Sequence, residues 1–154
     1  MEQKPKAAIL VENIMTSQVH AVTPAMTVRE SILLLTTNRI SGAPVCDANQ
    51  KVMTVLSEGD LLKLAAGLGM DAKISMCLEK LPKFDALITA KKTETFTEVY
   101  KKFLTKSIHR IIVTDANGKL QGIVSRSNVL RVLVDAGKSA ATEEAPAADK
   151  ASSE

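Results

Sequence analysis

The feature that most constrains this chain is internal repetition: residues 19–64 lie over residues 87–132 at one constant offset of 68 positions, with no gap. Ile40, Val45, Asp47, Ala48, Asn49, Lys51, Ser57 and Leu62 meet Ile108, Val113, Asp115, Ala116, Asn117, Lys119, Ser125 and Leu130, and upstream Thr27 and Glu30 meet Thr95 and Glu98. Most of the agreement lies between the apolar runs Ala43-Pro44-Val45 and Ile111-Ile112-Val113 and the sequences Ser57-Glu58-Gly59-Asp60 and Ser125-Arg126-Ser127-Asn128. The fold therefore uses one small αβ unit twice. Two copies imply a pseudo-twofold pair, and such a pair has a cleft between its halves.

The length favours the same arrangement. A chain of 154 residues is one ordinary domain or two halves sharing a core, and a unit of about 60 residues alone buries only about 60% of its unfolded surface. Hydrophobic residues make up 45% of the chain but aromatic ones only 3%, with no Trp, so the core is expected to be aliphatic. No apolar run approaches the roughly 20 residues of a membrane span, and Met1 to Lys6 lacks the apolar segment of a secretion signal, which makes the cytoplasm the expected compartment. Cys46 and Cys77 form no CxxC pair and read as small buried fillers rather than as a disulfide, redox or metal site. The net charge of +3 comes largely from lysines scattered through the second half. Nucleic-acid binding would call for a clustered basic stripe with free aromatic faces, and this pattern argues against it.

Within each unit the local signals give the order β-α-β-β-α. In the first, Val19 to Val22 is a short extended run closed before Pro24. Thr27 and Glu30 then form a capping box ahead of Val28, Ile32, Leu34 and Leu35 at helical spacing, as Thr95 and Glu98 do ahead of Val99, Phe103 and Leu104. Hairpins follow, Ala43–Cys46 with Val52–Leu56 and Ile111–Thr114 with Leu120–Val124, around turns rich in Asp, Asn and Gly. Ser57 and Ser125 are the N-caps of second helices, with Leu61, Leu62 and Leu64, or Val129, Leu130, Val132 and Leu133, on the expected buried side. Met76 to Lys83 reads as a short helix broken at Pro82, and Ala7 to Met15 as a short helix covering the first unit. The expected divisions are 11–66 for the first unit, 67–86 for a connector, 87–136 for the second unit and 137–154 for a disordered tail.

Catalytic signals are sparse. His20 and His109 are the only histidines, and no H-E-x-x-H, G-x-S-x-G, phosphate loop or G-x-G-x-x-G is present, so no enzyme, catalytic residue, metal or cofactor is expected. Ser57 and Asp60 combine a hydroxyl and a carboxylate at a helix start. That pair is a helix cap, and the same geometry suits a ribose, because a carboxylate accepts two hydrogen bonds from vicinal hydroxyls while the helix N-terminus attracts phosphate. Asn128 keeps the shape in the second copy without the charge. His109-Arg110 replaces Ser41-Gly42 of the first copy, and a planar guanidinium beside an imidazole suits phosphate.

These residues also carry a family resemblance. Ile40-Ser41-Gly42-Ala43-Pro44-Val45-Cys46-Asp47 with Ser57-Glu58-Gly59-Asp60-Leu61-Leu62, and Ile108 to Asp115 with Gly122 to Leu130, resemble the two motifs of a cystathionine-beta-synthase (CBS) domain pair, or Bateman module. They are also similar to the gamma subunit of AMP-activated protein kinase. The resemblance runs from about Val11 to Val134. It implies an α/β (α+β) fold of tandem β-α-β-β-α repeats packed as a pseudo-twofold pair, homodimers of that pair, and adenosine ligands in the clefts. AMP, ADP or ATP are expected, and S-adenosylmethionine or NAD less so. Carried over residue by residue, Asp60 would hold a ribose, Ser57 a ribose or phosphate oxygen, and His109 with Arg110 the phosphates, with the base near Ile88, Thr89 and Ile108. A second site would use Thr16, His20 and Ile40 for the base and Ser125 with Asn128 for the sugar. Thr54 stands where Gly122 has the glycine usual in the family, and Ile14-Met15-Thr16 becomes Pro82-Lys83-Phe84 in the second copy.

The leading expectation is a regulatory nucleotide sensor, with no membrane partner, that acts on another protein through a ligand-dependent change of conformation. The alternative is a dimeric interaction scaffold of the same fold that binds no ligand.

Overall fold

The computed structural model describes residues 8–139. Its elements are α1 (Val11–Ile14), α2 (Val28–Thr37), β1 (Gly42–Cys46), β2 (Val52–Ser57), α3 (Glu58–Leu68), β3 (Thr89–Ala90), α4 (Phe96–Thr105), β4 (Arg110–Thr114), β5 (Leu120–Ser125) and α5 (Arg126–Ser139). Of the expected tail, residues 137–139 continue α5, and 140–154 lie outside the described residues.

Both helix starts follow their local chemistry. The Thr27 hydroxyl accepts the Glu30 amide at 3.1 Å while Glu30 accepts the Thr27 amide at 2.9 Å. Thr95 and Glu98 repeat this at 3.2 and 3.3 Å. Each cap contributes about 1 kcal/mol by satisfying amides that a helix leaves unpaired.

β1 and β2 pair antiparallel, as do β4 and β5, and each ladder has its irregularity at the same place, Val45/Cys46 and Val113/Thr114. β3 adds a parallel edge to β4, with Ala90 opposite Val113. In the first unit that edge shrinks to a single parallel bridge, Val22 to Val45. The hairpin tips join the halves: Val52 N–H donates to Gly118 O and Leu120 N–H to Gln50 O, both at 3.0 Å. Behind them Cys46, Val52 and Ile112 form a buried seam drawn from both units.

The covering segments cross over. Helix α1 does not cover the first unit; Val11 is fully buried with Ala90, Val99, Ile111 and Val113 of the second. Three bonds hold it there, Val11 N–H to Glu94 O at 2.8 Å, Glu12 N–H to Lys92 O at 3.2 Å and Phe96 N–H to Ile9 O at 2.7 Å. Conversely, Ile74, Cys77 and Leu81 of the connector complete the first core, tied by Val28 N–H to Ala72 O and Ile74 N–H to Met26 O. The connector carries three 3-10 turns, Ile74–Met76, Leu78–Lys80 and Phe84–Ala86, rather than one helix from Met76 to Lys83. Each unit is thus closed by the segment that precedes the other, which gives the halves a shared fold rather than two beads.

Four leucines expected inside are outside. Leu62 is 74% exposed, Leu130 60% and Leu104 68%. Leu61 and Leu64 define the buried stripe of α3, and one further residue rotates the side chain by about 100° onto the other face. Leu133 of α5 is also exposed.

Candidate functional site

The helix starts that close each hairpin are built alike. Ser57 lies at the end of β2 in extended conformation, and its hydroxyl accepts the Asp60 amide at 3.1 Å. Asp60 Oδ2 accepts both the Ser57 amide and the Ser57 hydroxyl at 2.8 Å. In the second unit Asn128 Oδ1 takes the same two bonds from Ser125, at 2.8 and 3.0 Å. An amide oxygen therefore replaces the carboxylate in the cap without loss of geometry. What changes is the chemistry of the acceptor: the bonds of the cap use Oδ2 of Asp60, whose second oxygen is also a carboxylate oxygen, whereas the second polar atom of Asn128 is an amide nitrogen.

Arg110, the first residue of β4, reaches across to the first unit. Its Nη2 donates to Ser41 Oγ at 2.7 Å, and its guanidinium lies on Gly42 so closely that a Cβ there would stand 2.7 Å from Cζ and Nη1. Burial lowers the Arg110 pKa from its ordinary value, the carboxylates of Glu58 and Asp60 push it back up, and Arg126 adds to the lowering. A glycine at position 42 is therefore what lets a cation from one unit rest on the backbone of the other.

A cleft of about 460 Å³ opens beside this contact, within the range of small-molecule sites. Of the expected residues it is lined by His109, Arg110, Thr16, His20, Ile40 and Ser125. The structure thus places the His109-Arg110 pair against four of the five residues expected for the second site; Asn128 does not line this cleft. Ser57, Asp60, Ile88, Thr89 and Ile108 do not line it either. Asp60 lines a narrower groove of about 190 Å³ with Lys63, Leu64, Gly67, Leu68, Lys80 and Leu81. Ile88 and Ile108 are half-buried against the second core, Thr89 O accepts Lys102 Nζ at 2.8 Å, and Ile108 O accepts Arg126 Nε at 3.2 Å.

Sequence reasoning missed several lining residues of the larger cleft: Gln18, Asn38, Arg39, Ile123 and Ser127. All five lie within two residues of a motif position in the chain, which is a weak signal. Ile123 is also held there by reciprocal bonds between its backbone and that of Thr16, at 2.8 and 2.9 Å.

Burial pushes the Cys46 thiol up to about 11, with Asp47 adding to the rise, and burial likewise raises Cys77. Both are the reverse of an activated nucleophile. Among the described residues no group of three His, Cys, Asp or Glu side chains is placed to hold a metal ion. No helix among them is long and apolar enough to cross a membrane.

Two matching hairpin-helix units with a cleft at their junction agree with a family comparison in which the CBS domain matches residues 11–67 and 84–135. The chain belongs to the CBS-domain family. Its relatives include the uncharacterized protein MJ1232 of Methanocaldococcus jannaschii, 28% identical over 81% of this chain and 40% of that protein. Another is the gamma subunit of 5'-AMP-activated protein kinase from Saccharomyces cerevisiae, 25% identical over 67% of this chain and 33% of that protein. The chain thus spans less than half the length of either. Among solved structures, CBSX2 of Arabidopsis thaliana in complex with AMP superposes with a TM-score of 0.72, at 27% identity over 83% of this chain and 98% of that one. The fold is that of a tandem CBS pair.

Proposed function

We propose that this CBS pair is a non-catalytic regulatory module that binds an adenosine nucleotide, AMP, ADP or ATP, between its repeats and passes the resulting change of conformation to a partner protein. The observation that carries the reading is Arg110 of the second repeat seated on Ser41 and Gly42 of the first, at the wall of a ligand-sized cleft. A ligand that engages this arginine touches both halves at once. It then favours the arrangement in which both contacts are made, by no more than its differential affinity for the two states. The AMP complex of CBSX2 supports the choice of ligand class. The Ser57–Asp60 cap, within electrostatic reach of Arg110, supports a ribose on that side, and the family motif would add Ile88, Thr89 and Ile108 for the base.

The exposed leucines support a homodimer. Leu62 and Leu130 occupy equivalent positions of α3 and α5 and remain 74% and 60% exposed, so the pseudo-twofold presents the same apolar residue twice to a second copy. Light scattering on the purified chain is expected to give twice the monomer mass, and a Leu62→Glu, Leu130→Glu variant the monomer mass.

The decisive experiment is a thermal-shift panel of adenosine, AMP, ADP, ATP, NAD, S-adenosylmethionine and GTP, followed by calorimetry. A ligand at 100 times its dissociation constant adds about 2.7 kcal/mol, a rise of several degrees. Asp60→Ala is expected to weaken ribose-bearing ligands at one site, and Arg110→Ala to weaken ATP more than adenosine. A flat response across the panel would sink the reading in favour of the ligand-free scaffold.

A further inference from the structure

Arg39 is strained in a way its repeat counterpart is not. Helix α2 ends with Arg39 N–H donating to Thr36 O at 3.3 Å and Ile40 N–H to Leu35 O at 3.0 Å, a termination that puts position 39 in the left-handed region. Glycine is the usual occupant, yet here it is an arginine with φ of 54°. In the second repeat α4 ends instead through an extended Lys106, with φ of −125° and ψ of 145°, and Ser107 is not left-handed. Strain confined to one copy of a repeat is not required by the fold, and an observed outlier of this kind points toward a site.

Arg39 lines the larger cleft together with Arg110, His20 and His109, and no Asp or Glu lines it among the described residues. Ser125 and Ser127 add hydroxyls where α5 begins, at the positive end of a helix that runs from Arg126 to Ser139. The helix cap beside them is Asn128 rather than Asp, so the cap brings no negative charge to this end of the cleft. The Asp60 side, by contrast, keeps both Glu58 and Asp60 within electrostatic reach of Arg110.

We infer that the larger cleft selects its ligand by the length of the phosphate chain, preferring a nucleoside triphosphate to the monophosphate, and that Arg39 and His20 are the specificity-determining residues. This rests on the nucleotide reading above and adds which member of the class this cleft takes. Each added phosphate brings charge that a cleft lined by two arginines and two histidines attracts, whereas the nucleoside portion is common to both ligands.

The chain offers its own reporter, because its only two histidines both line this cleft. Proton NMR of the imidazole signals, with His20→Gln used to assign them, follows titration of the full chain with AMP, ATP and sodium tripolyphosphate at fixed pH and ionic strength. The His20 signal is expected to saturate at a concentration at least tenfold lower for ATP than for AMP, and to respond to tripolyphosphate alone. Arg39→Gly relieves the backbone strain, so its unfolding midpoint is expected to equal or exceed that of the wild type while its ATP affinity falls at least fivefold and its AMP affinity stays within twofold. Equal affinities for ATP and AMP, an equal loss of both in Arg39→Gly, or retained ATP affinity in that variant overturns the inference. Adenosine compounds that raise the melting midpoint in an Asp60-dependent way without moving the His20 signal would refute it and leave the nucleotide reading standing. A His20 signal that responds to tripolyphosphate as strongly as to ATP, with no nucleoside contribution anywhere on the chain, would uphold the charge selectivity and refute the nucleotide reading.

Discussion

At Gly122 the second repeat receives the backbone of another segment, whereas at the matching position of the first repeat Thr54 carries a buried hydroxyl with no partner. A Cβ on Gly122 would stand 2.8 Å from the Thr16 carbonyl oxygen and 2.7 Å from Met15 Sδ, because Thr16 bonds to Ile123 in both directions. No such backbone pair forms between the equivalent residues, Phe84 and Val55, so the first sheet has room for a side chain at Thr54. The difference shows how a repeat diverges. The hairpin registers correspond and the caps share one geometry, and much of the asymmetry enters where each sheet meets a segment from elsewhere in the chain. The same holds at the pseudo-twofold contact, where Gly42 faces Arg110, its own counterpart.

Four substitutions test that contrast. Gly122→Ala is expected to have the largest effect, a loss of about 1–3 kcal/mol, since one of its neighbours is backbone that must shift. Urea unfolding measures it, and a loss below 0.5 kcal/mol, as an order-of-magnitude threshold for an ordinary surface change, would show that the Thr16 segment is not held against β5. Thr54→Val is expected to stabilise by about 1 kcal/mol, because it removes a buried hydroxyl that makes no hydrogen bond while keeping the shape. A destabilised variant would mean that the hydroxyl has a partner in solution.

Gly42→Ala comes next. The atoms it meets are the far end of a flexible side chain, so stability is expected to change by less than about 1 kcal/mol while Arg110 leaves Ser41. Calorimetry is then expected to show a several-fold loss in ATP affinity at nearly unchanged melting temperature; unchanged affinity would show that the seat on Gly42 is not needed for binding.

Asp115→Asn is expected to have the smallest effect. The Asp115 carboxylate accepts the Lys119 amide at 2.9 Å and the Asn117 amide at 2.8 Å, which hold it below its ordinary value of 3.8. A carboxyl with a lowered folded pKa contributes stability that is complete above the unfolded value and is lost as pH falls through the folded one. Wild type minus Asp115→Asn in unfolding free energy is therefore expected to be flat at neutral pH and to shrink only below about pH 3.8. A difference that already changes between pH 5 and 7 would contradict the assigned cause.

Local chemistry made much of this molecule legible in advance. Thr27 with Glu30, Thr95 with Glu98, and Ser57 with Asp60 each declare a helix start within four residues. The Asp47 and Asp115 turns declare hairpins, and the constant offset declares that these come twice. Leu62 and Leu130 misled because apolar residues at adjacent helical positions cannot all face one core, and composition does not say which of them turns outward. The residues of the candidate site were legible one by one, but their grouping was not. His109 and Arg110 were expected to work with Ser57 and Asp60; Arg110 lies within electrostatic reach of Asp60, and the structure adds that both also line the larger cleft with Thr16, His20, Ile40 and Ser125.

The sequence alone determined the repeat, its element order and its caps, because each depends on hydrogen bonds and side-chain periodicity spanning a few residues. Only the tertiary structure decided that α1 closes the second unit and the connector the first, that Arg110 settles on Gly42, and that a left-handed Arg39 joins two histidines in one cleft. Those outcomes depend on close approach between backbones and charges many positions apart in the chain, and close packing admits only arrangements in which every neighbour fits.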